Sequence, residues 1–155
     1  MPILIDIQRA DTSEKIPSDA SINRWVESAL DNNDDSVELS IRVVGEQESA
    51  ALNLQYRGKS GATNVLSFPF SAVTPEPLPM LGDLVVCAPI VTLEAHQQNK
   101  ALEAHWAHMI VHGVLHLVGY DHENDNDARV MEILETEILL GLNYPAPYTE
   151  TTEHN

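Results

Sequence analysis

His112, His116 and His122 stand in the stretch His-Gly-Val-Leu-His-Leu-Val-Gly-Tyr-Asp-His, a spacing suited to holding a metal ion. On an α-helix, residues four apart share a face and lie about 6 Å apart along the axis. His112 and His116 therefore point at one ion. Gly119 tolerates the left-handed conformation that ends a helix, and the turn it permits brings His122 back toward the same place. Three imidazoles leave at least one coordination position open, as catalytic zinc requires and structural zinc does not. Imidazole also suits nickel, copper and iron, so the spacing specifies an open metal site before it specifies a metal.

The same helix carries His105 and His108 on that face, while Trp106, Ile110, Val111, Val114, Leu115, Leu117 and Val118 occupy the other. This pattern describes a buried helix whose one polar stripe is imidazole. Buried polar groups need partners, and a shared metal would be an economical one. His108 reads as an outer donor, a proton shuttle or a packed neighbour. Asp121, beside His122, either orients a ligand imidazole or makes the turn. Asp83 reads as a strand-start or turn residue, or as one facing the cleft, and Tyr120 as a stacking or packing ring. Cys87, the single cysteine, sits in an apolar run and reads as a small core residue. His96 and His154 lie outside the constellation.

The elements that must position these groups follow from periodicity. Ile3, Ile5 and Ile7 alternate as in a strand. Ser18 caps a helix with Ile22, Trp25, Val26, Ala29 and Leu30 on one face. Val37, Leu39, Ile41 and Val43 alternate as a half-buried strand, and a short helix from about Glu46 to Arg57 stops at Gly58. Asn64–Phe70 reads as an edge strand. The proline-rich stretch Ser71–Leu81 reads as loop, and Leu84–Cys87 as a central strand. A helix from Pro89 to about Gln98 precedes the histidine helix, Ala101 to Val118. A last helix carries Val130, Ile133, Leu134 and Ile138 as its apolar positions and ends at Gly141. The prediction is one α+β domain, a sandwich of the α/β type. It has a single four-stranded mixed sheet, five to six helices and the metal site at the end of the histidine helix. Residues 1–143 form the catalytic domain and 144–155 a loose tail.

A chain of 155 residues with 43% hydrophobic content suffices for one real core. No stretch reaches the length of a membrane span, and the N-terminus lacks the charged and apolar regions of a secretory signal. One cysteine excludes an intrachain disulfide framework, and a cytoplasmic location is expected. The formal net charge of −16, with eight basic residues, repels nucleic acid at long range, so any phosphate-binding surface must be local. Arg57, Lys59 and Arg42 are the candidates to flank the histidine cleft.

The stretch His112–His122 resembles the signature of the YbeY family, zinc-dependent endoribonucleases that mature ribosomal RNA. The resemblance extends to Asn-Leu-Gln-Tyr-Arg-Gly (Asn53–Gly58), Thr-Asn-Val-Leu-Ser-Phe-Pro (Thr63–Pro69) and Leu-Gly-Asp-Leu (Leu81–Leu84), and in order and spacing covers nearly the whole chain. It implies one zinc ion per chain at His112, His116 and His122, and a substrate-facing arginine at Arg57. It further implies action on single-stranded RNA in 3′-end maturation of small-subunit ribosomal RNA and in ribosome quality control, with the ribosome or its proteins as partners. Asn64 stands where the family usually carries aspartate. Either a chemical carboxylate is missing, or the position only hydrogen-bonds its loop.

The histidine spacing equals that of the zinc-peptidase pattern His-Glu-x-x-His-x-x-Gly-x-x-His, whose glutamate is the general base. Gly113 occupies that position here, which argues against peptide hydrolysis. Phosphodiester cleavage makes a smaller demand for a base, because zinc lowers the pKa of bound water to roughly 7. Arg57 would grip phosphate through two parallel bonds. Gly113 would leave room beside the ion for a bulky phosphodiester. The remaining alternative is a non-catalytic zinc-binding factor for ribosome assembly, which the acidity suits.

Overall fold

Strand pairing fixes the frame. The computed structural model describes residues 3–30, 37–70, 80–120 and 124–148. Their elements run β1 (Ile3–Arg9), α1 (Asp19–Ala29), β2 (Val37–Val44), α2 (Glu46–Arg57), β3 (Val65–Pro69), β4 (Met80–Cys87), α3 (Ala88–Gln97), α4 (Leu102–Leu117) and α5 (Asp125–Gly141). They form one α+β unit around a four-stranded sheet of order β1-β2-β4-β3. β1 and β4 both lie parallel to β2, and β3 runs antiparallel to β4, so the sheet is mixed as predicted. Among the described residues no helix is long and apolar enough to cross a membrane.

The alternation in β2 decides which face holds the core. Leu39, Ile41 and Val43 are buried, and their neighbours Leu84 and Val86 continue that layer. Against it pack Ile22, Trp25 and Val26 of α1 and Trp106, Ile110, Val111 and Val114 of α4. Val85, Cys87, Val44 and Leu66 turn to the opposite face and form a smaller cluster with Leu52 and Ile90. Cys87 is thus a packing residue, and burial first of all pushes its thiol above the usual range. Ser18 caps α1, its hydroxyl accepting from the Ser21 amide at 3.2 Å.

Two sequence expectations are revised. β4 begins at Met80, not Leu84, because Gly82 allows an irregular step in its pairing with β2 between Glu38 and Leu39. Gly82 has φ +140°, and a Cβ there would lie 2.2 Å from the carbonyl oxygen of Phe68 on β3. The last helix buries Met131, Glu135 and Leu139 and packs the expected Leu134 and Ile138 half-buried against the core, whereas Val130 and Ile133 are exposed. Its buried stripe is therefore rotated from the expected one, for a reason that lies in the site. Of the segment expected to be loose, residues 149–155 lie outside the described residues. Within 144–148, the Tyr144 hydroxyl donates to Glu103 at 2.5 Å and accepts from Trp25 Nε1 at 3.2 Å, and Lys100 Nζ reaches the Pro147 carbonyl at 3.3 Å.

Gly82→Ala should cost about 3 kcal/mol or more, since it adds both backbone strain and a clash with backbone atoms. Urea unfolding of the two proteins checks this.

Candidate active site

α4 is an almost wholly buried helix, and its imidazole stripe must find partners inside the protein. His105, 3% exposed, donates from Nε2 to Glu94 of α3 at 2.9 Å. His108, 7% exposed, donates from Nε2 to Glu135 Oε1 of α5 at 3.0 Å, and the Tyr148 hydroxyl lies 3.2 Å from the same nitrogen. His112 directs Nδ1 at Glu135 Oε2, 2.5 Å away. The His112 and His116 rings follow, their centroids 4.7 Å apart and their planes nearly perpendicular at 78°. The stripe is therefore not shared by one metal throughout. Carboxylates from the flanking helices engage Nε2 of each ring in its first half and back its third member, and His112 and His116 sit together at its C-terminal end.

The charges follow from this burial. Dehydration would raise the Glu135 carboxyl, but hydrogen bonds from His108, His112 and Tyr148 outweigh it and bring the pKa down to about 2. Glu94 is likewise held below its ordinary value, since burial is outweighed by its bonds from His105 and Asn64. Burial lowers His108 despite Glu135, which favours the neutral ring. Burial, and then its bond to Glu135, raises the Tyr148 hydroxyl, so Tyr148 stays a donor. His108 is accordingly a buried, engaged neighbour and not an accessible proton shuttle.

The helix ends as its glycine requires. Gly119 has φ +109°, and the Tyr120 amide bonds back to Leu115 O at 3.0 Å. His122 and Asp121, which follow that turn, lie outside the described residues. Among the described residues no three metal-ligating side chains converge. His112 and His116 nevertheless fit a metal: they are paired imidazoles four residues apart, and one is backed by a buried carboxylate, the usual surrounding of a ligating histidine.

Gly113 faces the sheet. A Cβ there would come within 2.8 Å of Leu84 Cδ2 and 3.3 Å of Val65 Cγ2. The glycine thus allows close helix–sheet packing and does not open space for a phosphodiester, which corrects the sequence reading. Ser67 Oγ of β3 donates to the Gly113 carbonyl at 3.3 Å, holding the same approach.

Arg57 is exposed in the last turn of α2, which Gly58 ends in the left-handed conformation (φ 68°). The following loop is fastened from within. Asn53 Nδ2 donates to Gly61 O at 2.9 Å, and the Ser49 hydroxyl bonds both the carbonyl and the amide of Thr63 at 3.0 Å. Tyr56 packs edge-on against Phe68 of β3, centroids 5.2 Å apart. β3 therefore bridges the arginine segment and the histidine helix. Lys59 is exposed on this loop, but Arg42 is clasped by Glu48 at 2.6 and 3.1 Å and its charge is matched.

Asn64 closes the loop. Its Oδ1 accepts from the Val65 amide at 2.6 Å, and its Nδ2 donates to both Glu94 oxygens at 3.1 and 3.2 Å. An amide is the group that suits this place, because a carboxylate would face Glu94 with like charge. Sequence reasoning overlooked both Glu94 and Glu135. The available signal was a glutamate at the centre of the buried series Met131, Glu135, Leu139.

Asn64→Asp should destabilise the fold by about 2 kcal/mol at neutral pH. The deficit should shrink below about pH 5, where one carboxyl takes up a proton and becomes a donor. Adding Glu94→Gln should restore stability, because the amide–carboxylate pair re-forms with its roles exchanged. Thermal unfolding of wild type, single and double variants against pH checks the order.

A family model described as Endoribonuclease YbeY matches residues 6–143. The chain is also similar to the solution structure of TM1509 from Thermotoga maritima, at 25% sequence identity. That match covers 96% of this chain and 92% of the other, with a TM-score of 0.61.

Proposed function

We propose, from the premise that the chain belongs to the YbeY family of endoribonucleases, that it is a zinc-dependent enzyme cutting single-stranded RNA. It acts in 3′-end maturation of small-subunit ribosomal RNA and in ribosome quality control, in the cytoplasm and in contact with the ribosome or its proteins. The family carries the coarser statement, an endoribonuclease of ribosomal RNA processing. The finer one is supported above all by the His112–His116 pair, with Glu135 behind His112.

In this reading His112, His116 and His122 hold one zinc ion. When bound, zinc supplies Lewis acidity toward a phosphoryl oxygen and acidifies a water. The remaining work belongs to the protein. Arg57 binds and orients the phosphate through its planar guanidinium, whose fork matches two oxygens. Its placement at a glycine-stopped helix end, on a loop tied by Ser49 and Asn53, limits how far it can stray. Glu135 and Tyr148 keep the core side of the imidazoles engaged.

Purified wild type should cleave a single-stranded RNA. His116→Ala should abolish cleavage by removing a zinc ligand, and Arg57→Ala should reduce the rate about 100-fold or more, as loss of one transition-state contact does. Arg57→Ala should remain folded and retain its metal. Metal-loaded wild type that binds RNA without cutting it would instead support the non-catalytic assembly factor.

A further inference from the structure

We propose that Glu135 is a positioning residue for the metal: it sets the tautomer and direction of His112 from the core side, so that Nε2 is the nitrogen His112 presents to the ion. The inference rests on the zinc reading of His112 and His116 given above.

Three observations carry it. The first is where Glu135 stands. It is 0% exposed and lies between Met131 and Leu139 in the buried stripe of α5, where an aliphatic side chain would fill the same space. A buried carboxylate loses several kcal/mol of hydration, and its stabilising value over an apolar residue is often nil. Packing alone therefore does not explain a glutamate here.

The second is how its two oxygens are divided. Oε1 receives the Tyr148 hydroxyl at 2.5 Å and His108 Nε2 at 3.0 Å. Oε2 receives His112 Nδ1 at 2.5 Å. Contacts on Oε1 from two different segments keep the carboxylate from turning, and Oε2 is thereby aimed at one nitrogen of one ring. An ionised carboxylate only accepts, so Nδ1 of His112 must carry the proton. The proton-free nitrogen of that ring is then Nε2, the one that can donate electrons to a metal.

The third is the gradient of exposure. The His112 side chain is 24% exposed and Glu135 is 0% exposed. The carboxylate thus approaches a partly exposed ring from the buried side. This ordering also accounts for the rotation of α5. Were Val130 and Ile133, now exposed, turned inward instead, Glu135 would leave the two histidines.

The test measures zinc affinity by chelator competition, and the visible absorption of the Co²⁺-substituted full-length protein. It compares wild type with Glu135→Gln, Tyr148→Phe and His116→Ala. Glu135→Gln should weaken zinc about 10–100-fold and alter the cobalt spectrum. Tyr148→Phe keeps the His108 contact on Oε1 and the His112–Glu135 bond in place and should weaken zinc far less. Folded Glu135→Gln with wild-type affinity and spectrum overturns the proposal, as does an equal loss in Tyr148→Phe. Should Glu135→Gln fail to fold, long-range ¹H–¹⁵N spectra of zinc-loaded wild type decide: a proton on His112 Nδ1 supports the assignment and a proton on Nε2 overturns it. Failure of the underlying metal reading looks different: wild type takes up no zinc, or His116→Ala binds it as tightly, and the proposal then falls with it.

Discussion

Four imidazoles on one face of a buried helix constrain everything around them. Burying a polar ring without a partner is costly, so α4 enters the core only where neighbouring elements bring acceptors. Glu94 of α3 meets His105, and Glu135 of α5 meets His108 and His112. Each carboxylate in turn survives burial only through the donors it receives, from Asn64 for Glu94 and from Tyr148 for Glu135. The result is two polar clusters, one of Asn64, Glu94 and His105 and one of His108, His112, Glu135 and Tyr148, and within each, removing one member exposes the others to the desolvation it was offsetting.

The opposite side of α4 obeys a steric rule. Gly113 lets the helix lie against Leu84 and Val65, and Gly82 lets β4 pass close to β3. β3 is thereby pinned between its antiparallel partner and the histidine helix, with Ser67 bonded to Gly113. The same strand carries Phe68, against which Tyr56 rests. A short, partly exposed strand thus relates the arginine end of α2 to the histidine end of α4. In a protein of net charge −16 such placement matters, because recognition of a polyanion has to come from a few cations held in position. Arg42, already matched by Glu48, is not one of them, whereas Arg57 and Lys59 are exposed beside the fastened loop.

Much of this was legible in the residues. Alternation in Val37–Val43, the Ser18 cap, the glycine stops at Gly58 and Gly119 and the amphipathic histidine helix are local signals, and local backbone physics decides them. The spacing of His112 and His116 likewise needs only the helical period to place them together. The start of β4 was hidden because Met80–Gly82 pairs through an irregular step that only Gly82 permits.

Sequence alone therefore determined the element order, the mixed sheet and the histidine pair, since each depends on periodicity or on one residue's conformational range. Tertiary structure alone decided which carboxylates face those histidines, why Asn64 is an amide, which face α5 buries and what Gly113 is for. These are relations between residues 11 to 48 positions apart, Glu94 with His105 at one limit and Val65 with Gly113 at the other. No local pattern encodes such a distance: a glutamate at 135 reads as a surface residue until the helix is seen to turn it inward, toward two rings that cannot be buried without it.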